Sequence, residues 1–488
     1  MKIIRSHSYI ILLAGTVIAA LAISSSAFGL TTFTPGTPAK ASEVNANFSE
    51  LSDRLDALEF KHDGPSISVD CSADANDLIN KVATAPAGAT LNVSGTCAGP
   101  VTVKRDRIRI VAQTAGVDGV TSNVAGRALL AIKSRLVSVE GLKIVSTATA
   151  ESYGLGVFDG GSAKLTDIHV SGATESILVG RSATARVIDT TDIDNIFVYE
   201  AASCRIEGSS QGFDIFALRN GTVDIHTNPG AAFTGIRANT GGMVRARWSA
   251  DLAVNGRVTV SDGGVEFKVS VTLTYMPTSE WDHGLSLVGN ATAVFKAGGT
   301  VKTSVSVDGA SAMQADGVSF VDPVDASRGG SVFVGARSVV GLRNGSSVGP
   351  LTLDYSASLF MDSSSAAGDA RIGPGCELVL TASSLVGNIN TGPNANITMQ
   401  GSSNITATRA AAGVCPTDYS QGIRLNLGSV LVRRDAGSTI TGYVEVDKMS
   451  ALQDNTWSGY GGTVDVSNST LSNLQSLGVS TGGINICN

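Results

Sequence analysis

A repeat of about twenty residues constrains the fold of this chain more than any other feature. From Gly161 onward, a turn rich in Gly, Ser or Asn precedes two or three apolar residues that alternate with polar ones. The clearest copies are GGSAKLTDIHV from Gly160, RSATARVID from Arg181, AASCRIEG from Ala201, RNGTVDIH from Arg219, TGGMVRARW from Thr240 and DGGVEFKVS from Asp262. The equivalent anchors, which keep a nearly constant spacing, are Gly161, Arg181, Ala201, Asn220, Gly241 and Gly263. Such regular repetition is typical of a solenoid or a propeller.

The length and content of the unit decide between these architectures. A propeller blade needs roughly 40 residues, and a leucine-rich repeat needs a regular Leu ladder. About twenty residues in two or three short strands suit one coil of a parallel β-helix, with coils stacked at about 4.8 Å. In VDIH, Val223 and Ile225 should then face the core, while Asp224 and His226 face solvent. We predict an all-β parallel β-helix, because the turn glycines keep a constant phase that a hairpin-built sandwich would not show.

Composition excludes two other classes. The 488 residues contain 56 glycines but only 16% charged and 5% aromatic residues, a balance that suits strands and tight turns rather than helical bundles. The net charge is −7, and basic residues do not cluster beyond KRDR at 104–107. The basic footprint of a nucleic-acid binder is therefore absent from the sequence.

The N-terminus has the pattern of a secretory signal peptide. Lys2 and Arg5 precede an uncharged run from Tyr9 to Ile23, and the small-residue stretch SSSAFG follows. The run is shorter than the roughly 18 to 20 residues that span a bilayer, and no later segment of the sequence is suited to spanning. We predict cleavage near residue 29 and an extracellular, cell-surface or periplasmic protein; a retained signal anchor is the alternative.

The segment from about Ser66 to the end resembles the right-handed parallel β-helix of the pectin-lyase-like superfamily. Its opening, ISVDCSADANDLINKVATAPAGATLNVSGTCAGPVTV, looks like the first coil of exported bacterial members, in which the short helix at 77–82 would cap the core. The preceding TTFTPGTPAKASEVNANFSELSDRL is similar to segments before β-helical or fibre domains in bacterial surface and phage tail proteins. The expected organisation is a signal peptide at 1–29, a linker and helix at 30–65, and a β-helix at 66–488 with caps at about 66–100 and 415–488.

KASEVNANFSELSDRLDALE, at 40–59, is the amphipathic helix of this linker. Its apolar residues follow steps of 4, 3, 4 and 3, which is a heptad seam; they are Val44, Phe48, Leu51, Leu55 and Leu58. Two heptads are too few for an isolated coiled coil, so the seam must pack on copies of itself or on the first coil of the β-helix. We favour self-association, with a trimer suggested by analogy with fibre proteins.

Six cysteines in an exported chain indicate disulfides. Cys71 and Cys97 flank one coil length and are the best pair, followed by Cys415 with Cys487 at the C-terminal end. Cys204 and Cys376 lie about eight coils, or roughly 40 Å, apart and cannot pair with each other. Both alternate with apolar residues and should be buried, although a bridge from Cys376 to Cys415 stays open. No spacing of Cys and His indicates zinc.

Three aspartates are the candidates for chemistry. Asp192 and Asp194 flank Ile193 and should point outward about 6.6 Å apart along one strand, a separation compatible with inverting glycosidases and equally with ordinary surface residues. Asp194 and Asp214 lie at the same offset from their repeat anchors, Arg181 and Ala201, and should stack on adjacent coils. Stacked carboxylates favour a Ca²⁺ site, and the alternative is solvated surface.

The motifs of β-helical enzymes are otherwise incomplete. WDH at 281–283 matches part of the pectate lyase pattern without its spacer, so His283 is expected at the surface, with a catalytic role as the alternative. The ordered polygalacturonase set and a G-x-S-x-G nucleophile elbow are missing. We predict an exported, non-catalytic β-helix with an elongated face for glycan or another surface partner. A polysaccharide lyase or glycoside hydrolase on the same fold is the alternative.

Overall fold

The computed structural model describes part of the chain in detail. The described residues are Asn47, 62–247, 251–277, 282–325, 327–407, 422–435, 437–441, 443–446, 450–454, 463–466 and 484–485. The chain divides into two compact units, Met1–Asp63 and Gly64–Asn488. The predicted signal peptide and, apart from Asn47, the predicted heptad helix lie outside the described residues.

The second unit is a parallel β-solenoid of about 16 turns, which confirms the predicted fold class. A typical turn contributes one strand to sheet 1, a short segment to a third face and one strand to sheet 2. Every pairing between neighbouring turns in these sheets is parallel, as in Thr184–Ser203 of sheet 1 and Ile177–Ile196 of sheet 2. In the described residues, the one helix of the solenoid is α1 (Asp77–Thr84). No helix there is long and apolar enough to cross a membrane.

Sheet 1 runs the length of the solenoid. Its strands are β1 (Ser66–Asp70), β2 (Thr90–Ser94), β5 (Arg109–Ala112), β8 (Val137–Glu140), β11 (Ser162–Thr166), β14 (Thr184–Ile188), β16 (Ser203–Gly208), β18 (Thr222–Thr227), β21 (Met243–Ala246), β24 (Gly264–Phe267), β27 (Thr292–Phe295), β30 (Ala312–Asp316), β33 (Val339–Arg343), β36 (Ser358–Asp362), β39 (Glu377–Thr381), β42 (Asn396–Gln400), β45 (Val430–Arg433) and β48 (Ala451–Asp454).

Sheet 2 forms the second long face. Its strands are β4 (Val101–Val103), β7 (Ala128–Ile132), β10 (Tyr153–Val157), β13 (Glu175–Val179), β15 (Asn195–Tyr199), β17 (Asp214–Leu218), β20 (Gly235–Asn239), β23 (Val258–Ser261), β26 (Leu285–Val288), β29 (Val305–Val307), β32 (Val332–Val334), β35 (Leu351–Leu353), β38 (Ala370–Ile372), β41 (Ile389–Thr391), β44 (Ile423–Leu425), β47 (Tyr443–Val446), β49 (Thr463–Val466) and β50 (Ile484–Asn485).

Two shorter sheets make up the third face. Sheet 3 contains β3 (Thr96–Ala98), β6 (Gly119–Ser122), β9 (Lys143–Ser146) and β12 (His169–Ser171). Sheet 4 contains β19 (Ala231–Phe233), β22 (Asp251–Val254), β25 (Ser270–Thr274), β28 (Gly299–Lys302), β31 (Val318–Val321), β34 (Ser347–Val348), β37 (Ser365–Ala367), β40 (Ser384–Val386), β43 (Asn404–Thr406) and β46 (Thr439–Thr441).

The core follows the alternation of the repeat. Val223 and Ile225 are fully buried, whereas Asp224 and His226 between and beyond them are partly exposed, as predicted. Phe213 and Phe233 meet inside the solenoid with ring centroids 5.2 Å apart at 70°, an edge-to-face geometry. Such contacts recur from coil to coil because parallel stacking places equivalent residues above one another.

The turn from sheet 2 to sheet 1 shows that some of the predicted repeat anchors are one residue out of register. Two successive residues take positive φ in consecutive coils, for example Arg219 (48°) with Asn220 (64°). The strand register makes Ser182, not Arg181, equivalent to Ala201. In the same way, the register makes Gly160, not Gly161, and Asp262, not Gly263, the equivalent residues of their coils. Both turn residues have left-handed backbone conformations, so Gly, Ser or Asn suits either position. The sequence pattern alone therefore does not show which of the two is the anchor.

A column of buried serines stabilises one corner of the C-terminal coils. The main-chain N–H of Ser364 donates to Ser383 Oγ at 3.1 Å, that of Ser383 to Ser403 Oγ at 3.2 Å, and that of Ser403 to Ser438 Oγ at 3.0 Å. Each hydroxyl thus satisfies a buried donor of the preceding coil. Some serines of the repeat turns are therefore buried and connect neighbouring coils.

The N-terminal end of the core carries the predicted disulfide, and a helix packs beside it. Cys71 and Cys97 form a disulfide with a Cα–Cα distance of 4.9 Å. Helix α1 turns Leu78 and Val82 onto the core and caps it. Cys204 and Cys376 are free and buried, and burial raises the pKa of both thiols. Cys415 and Cys487 lie outside the described residues.

Candidate ligand-binding groove

The predicted aspartates do not stack as expected. The register aligns Asp214 with Asn195, so Asp194 lies one residue earlier, before β15 begins. The expectation failed because it used Arg181 as the repeat anchor, which is one residue out of phase. Asp214 Oδ1 accepts a hydrogen bond from Thr234 Oγ1 at 2.5 Å. In the described part of the chain, no group of three or more His, Cys, Asp or Glu is arranged to hold a metal ion. The Ca²⁺ site stays a prediction.

Asp192 and Asp194 point outward on either side of buried Ile193, but they do not share a strand. Asp192 forms a parallel bridge with His169 of sheet 3. The ring of His169 lies between two carboxylates, with Nδ1 3.2 Å from Asp192 Oδ2 and Nε2 3.2 Å from Asp167 Oδ1. A corner of the solenoid therefore separates Asp192 from the sheet 2 side of the coil.

The WDH segment is more buried than expected. Trp281 lies outside the described residues, and Asp282 is buried. His283 is half-buried, its Nδ1 lies 3.0 Å from Ser304 Oγ, and burial lowers its pKa. These contacts join neighbouring coils and do not form a cluster with the three aspartates considered above.

The outer face of sheet 2 instead carries a column of aromatic side chains. Phe197 and Phe216 are register partners on adjacent coils, and their rings stack with centroids 4.2 Å apart and planes 1° apart. Arg237 follows in the next coil and places its guanidinium 5.4 Å from the Phe216 ring centroid. Strand alternation explains this outward position, because Ile196 and Val198 on either side of Phe197 are fully buried.

Glycines on the preceding coils make room for further rings. A Cβ atom at Gly180 would overlap Tyr199 Cζ, so the tyrosine ring rests directly on that backbone. A Cβ at Gly156 would overlap Phe158 Cε2 in the same way. These glycines are therefore required for close approach of the rings to the sheet.

Together these residues line a groove, which we call the aromatic groove, with two hollows. The first hollow has a volume of about 730 Å³ and is lined by Pro100, Thr102, Gly126, Arg127, Ala128, Ala131, Lys133, Tyr153, Phe158, Glu175, Leu178, Arg181, Phe197, Tyr199, Leu218 and Arg219. The second has about 390 Å³ and is lined by Asp214, Ile215, Phe216, Thr234, Gly235, Ile236, Arg237, Gly256, Arg257, Thr259 and Tyr275. Phe197 lines the first hollow, and its stacking partner Phe216 lines the second.

Ion pairs order one edge of the first hollow. Asp159 lies 3.0 Å from Lys133 Nζ and 3.2 Å from Arg181, and hydrogen bonds from Lys133 and then Arg181 lower the pKa of Asp159. Glu200 lies 3.9 Å from Arg181 and 3.5 Å from Arg219. These cations are exposed, so they remain accessible to a ligand while their carboxylate partners restrict their positions.

Glu175 and Tyr153 differ from this exposed edge because they are partly buried. Burial, and next the negative charge of Glu151, raise the pKa of Glu175. Tyr153 donates a hydrogen bond from its hydroxyl to Glu151 Oε1 at 3.0 Å, and burial is the main cause of its raised pKa. The hollow thus contains one carboxyl group with a lowered pKa, Asp159, and one with a raised pKa, Glu175.

The end of the second hollow is held by three side chains. Arg257 Nε donates to the Tyr275 hydroxyl at 2.9 Å, and that hydroxyl donates to Asp282 Oδ2 at 2.8 Å. Arg257 also pairs with Asp282 and lies 5.0 Å above the Tyr275 ring centroid. Because the buried carboxylate has charged and hydroxyl partners, the Arg257 and Tyr275 side chains are preordered at the groove.

Sequence reasoning missed the aromatic groove because it searched for carboxylates and histidines. A signal was present, since Phe197, Phe216 and Arg237 follow one another at close to the repeat length and therefore share one position of the repeat. No protein-family model and no curated protein matches this chain. Function must therefore be argued from the groove itself.

Proposed function

We propose that this chain is an exported, non-catalytic β-solenoid that binds a glycan chain in the aromatic groove. The stacked Phe197 and Phe216 carry the proposal. The C–H faces of sugar rings are apolar and pack on exposed aromatic faces, while sugar hydroxyls take hydrogen bonds from charged side chains at the rim. Lys133, Arg181 and Arg237 supply donors of this kind beside the rings.

The shape of the groove supports a chain rather than a single small molecule. Two hollows of about 730 and 390 Å³ are lined by successive strands of sheet 2, and each contains one ring of the stacked aromatic pair. Equivalent side chains repeat at about 4.8 Å because the coils stack at the strand spacing. A linear ligand lying along the axis would contact successive coils in the same way.

Export is supported by two independent features. The disulfide between Cys71 and Cys97 is typical of proteins that fold in an oxidising compartment. The sequence pattern at 1–29 agrees with secretion, and the resemblance to pectin-lyase-like proteins agrees with a polysaccharide ligand.

Self-association through 40–59, as a trimer, would present several grooves together and raise avidity.

A glycoside hydrolase is the second candidate, and Glu175 favours it specifically. A half-buried carboxyl group with a raised pKa, within a groove that also holds the ionised Asp159, resembles the acid half of a catalytic pair. Release of reducing sugar by the mature chain, abolished by Glu175→Gln with polysaccharide binding retained, would establish this candidate. Binding without release supports the non-catalytic function.

Affinity electrophoresis of the mature chain through gels that contain neutral or acidic polysaccharides tests the proposal. The variants are Phe197→Ala and Phe216→Ala, and Phe360→Ala on the exposed face of sheet 1 is the matched control. We expect at least one of these polysaccharides to retard the mature chain. Its apparent Kd should rise at least about tenfold in the two groove variants, which is a loss of about 1.4 kcal/mol of binding free energy. The apparent Kd of the control should be unchanged. Equal retardation of all variants would reject the aromatic groove as the site.

A further inference from the structure

The outer face of sheet 1 carries a strip of positive charge that the linear sequence conceals. Lys164, Arg186 and Arg205 are register partners on the consecutive strands β11, β14 and β16. Asp224 follows on β18 and Arg245 on β21, in the same ladder. Three cations in succession at about 4.8 Å are unfavourable unless anions lie among them.

A second column lies beside the first. Arg247, Lys268 and Lys296 directly follow β21, β24 and β27, and main-chain hydrogen bonds continue the ladder through Lys268 and Lys296. The side chains of all three are about 37 to 47% exposed. We call the seven residues of both columns the basic strip: Lys164, Arg186, Arg205, Arg245, Arg247, Lys268 and Lys296.

The carboxylates among these cations are too few to neutralise them. Glu207 Oε2 lies 2.6 Å from Arg186 Nη2, and Glu207 also pairs with Arg205. Glu266 is shared between Arg247 at 3.4 Å, Lys268 at 3.6 Å and Lys296 at 3.4 Å. With Asp224, three acidic residues face seven basic ones on these described strands, whereas the whole chain has a net charge of −7. The basic strip therefore carries a net positive charge on a chain whose net charge is negative.

The shared carboxylates also order the cations. An arginine held by one carboxylate keeps its remaining N–H groups in a fixed orientation, which lowers the entropy lost when an anion binds. His226 lies one coil before Arg247 in the second column, and its pKa is lowered to about 4, first by burial and then by Arg205, Arg247 and Arg186. His226 is therefore uncharged near neutral pH and adds no positive charge to the strip.

We propose that the basic strip is a second binding site, for a linear anionic polysaccharide lying along the solenoid axis. Charge complementarity selects an anion, and guanidinium forks suit carboxylate or sulfate groups. The shape selects a chain, because the strip crosses seven strands, about 29 Å, but is only two side-chain positions, about 6.6 Å, wide. This site is on a different sheet from the aromatic groove and does not depend on it.

Fluorescence titration of the mature chain with labelled dextran sulfate, and with uncharged dextran of equal length, tests the proposal. We expect binding of dextran sulfate alone, weakening steeply between about 50 and 200 mM NaCl. Arg205→Gln/Arg245→Gln should raise the Kd at least tenfold. Lys268→Gln/Lys296→Gln, which changes side chains that are 41 and 47% exposed, should act in the same direction. The control Lys143→Gln/Lys302→Gln, on sheets 3 and 4, removes the same charge and should change the Kd less than twofold.

Three results would overturn the proposal. Equal weakening by the control would show that net charge alone is responsible. Tighter binding to vesicles that contain phosphatidylglycerol than to dextran sulfate would assign the strip to a lipid surface. Weakening by Phe197→Ala as large as that caused by the strip variants would place the anionic chain in the aromatic groove.

Discussion

Removing the disulfide should loosen the N-terminal cap and leave distant coils unaffected. Cys71→Ala/Cys97→Ala opens a loop whose ends are 26 residues apart and which contains α1. Chain entropy for a loop of this length gives a stabilisation of about 3.5 kcal/mol, or between two and three orders of magnitude in an opening equilibrium. Leu78 and Val82 of α1 cover the end of the core, so the cap is the part that should open.

Native-state hydrogen exchange measures this effect residue by residue. The amides of α1 and β1 should exchange up to several hundredfold faster in the double variant. Amides of β36 and β39 should be unchanged, because each coil of a solenoid contacts only its neighbours.

Cys204→Ala is the matched control, since it removes a buried thiol without removing a crosslink. Unchanged exchange in α1 of the double variant would refute the reasoning. So would an equal acceleration of α1 exchange in the control.

Three further predictions concern the core, a histidine and assembly. Phe213→Ala should lower the free energy of unfolding by about 3 to 5 kcal/mol in urea titrations, because the ring is fully buried, while exposed Phe360→Ala should change it by no more than about 0.5 kcal/mol. The pKa of His226 lies near 4 when folded, below its ordinary value of 6.5, so the unfolded chain takes up this proton first; the stability that His226 contributes is complete above pH 6.5 and falls as the pH drops towards 4. His226→Gln should flatten that part of the stability curve. Leu51→Asp/Leu55→Asp should reduce the mass of the mature chain in sedimentation to that of a monomer, and an unchanged mass would assign the helix at 40–59 to capping.

The architecture was predictable because one physical rule repeats along the chain. Alternation around Val223 and Ile225 indicates which side chains enter the core, and parallel stacking then requires a constant coil length. The pairing of Cys71 with Cys97 was predictable for the same reason, since one coil separates residues on neighbouring turns.

The exact register was not predictable. Asp214 of β17 pairs with Asn195 of β15. The coil that joins these strands is therefore one residue shorter than the separation of Asp194 and Asp214 in the sequence. A turn with two left-handed residues lets the sequence pattern shift by one position without changing its composition. That single step moves Asp194 off the strand and leaves Asn195 as the partner of Asp214.

Both proposed binding surfaces were hidden because their residues are distant in sequence. Phe197 and Phe216 are separated by one coil, and each alone reads as an ordinary strand residue. Arg186, Arg205 and Arg245 are likewise isolated in the sequence and become neighbours or near neighbours only through the register. Aligning outward positions across coils, rather than searching for local motifs, would have indicated both surfaces.

Hydrogen–deuterium exchange of the mature chain tests the proposed function most directly, with and without an oligosaccharide fragment of the polysaccharide that retards it in affinity electrophoresis. A glycan on the stacked Phe197 and Phe216 should slow exchange in β13, β15 and β17 of sheet 2. It should leave β33 and β36 of sheet 1 unchanged. Binding accompanied by protection elsewhere, with none in β15 and β17, would contradict a glycan site in the aromatic groove.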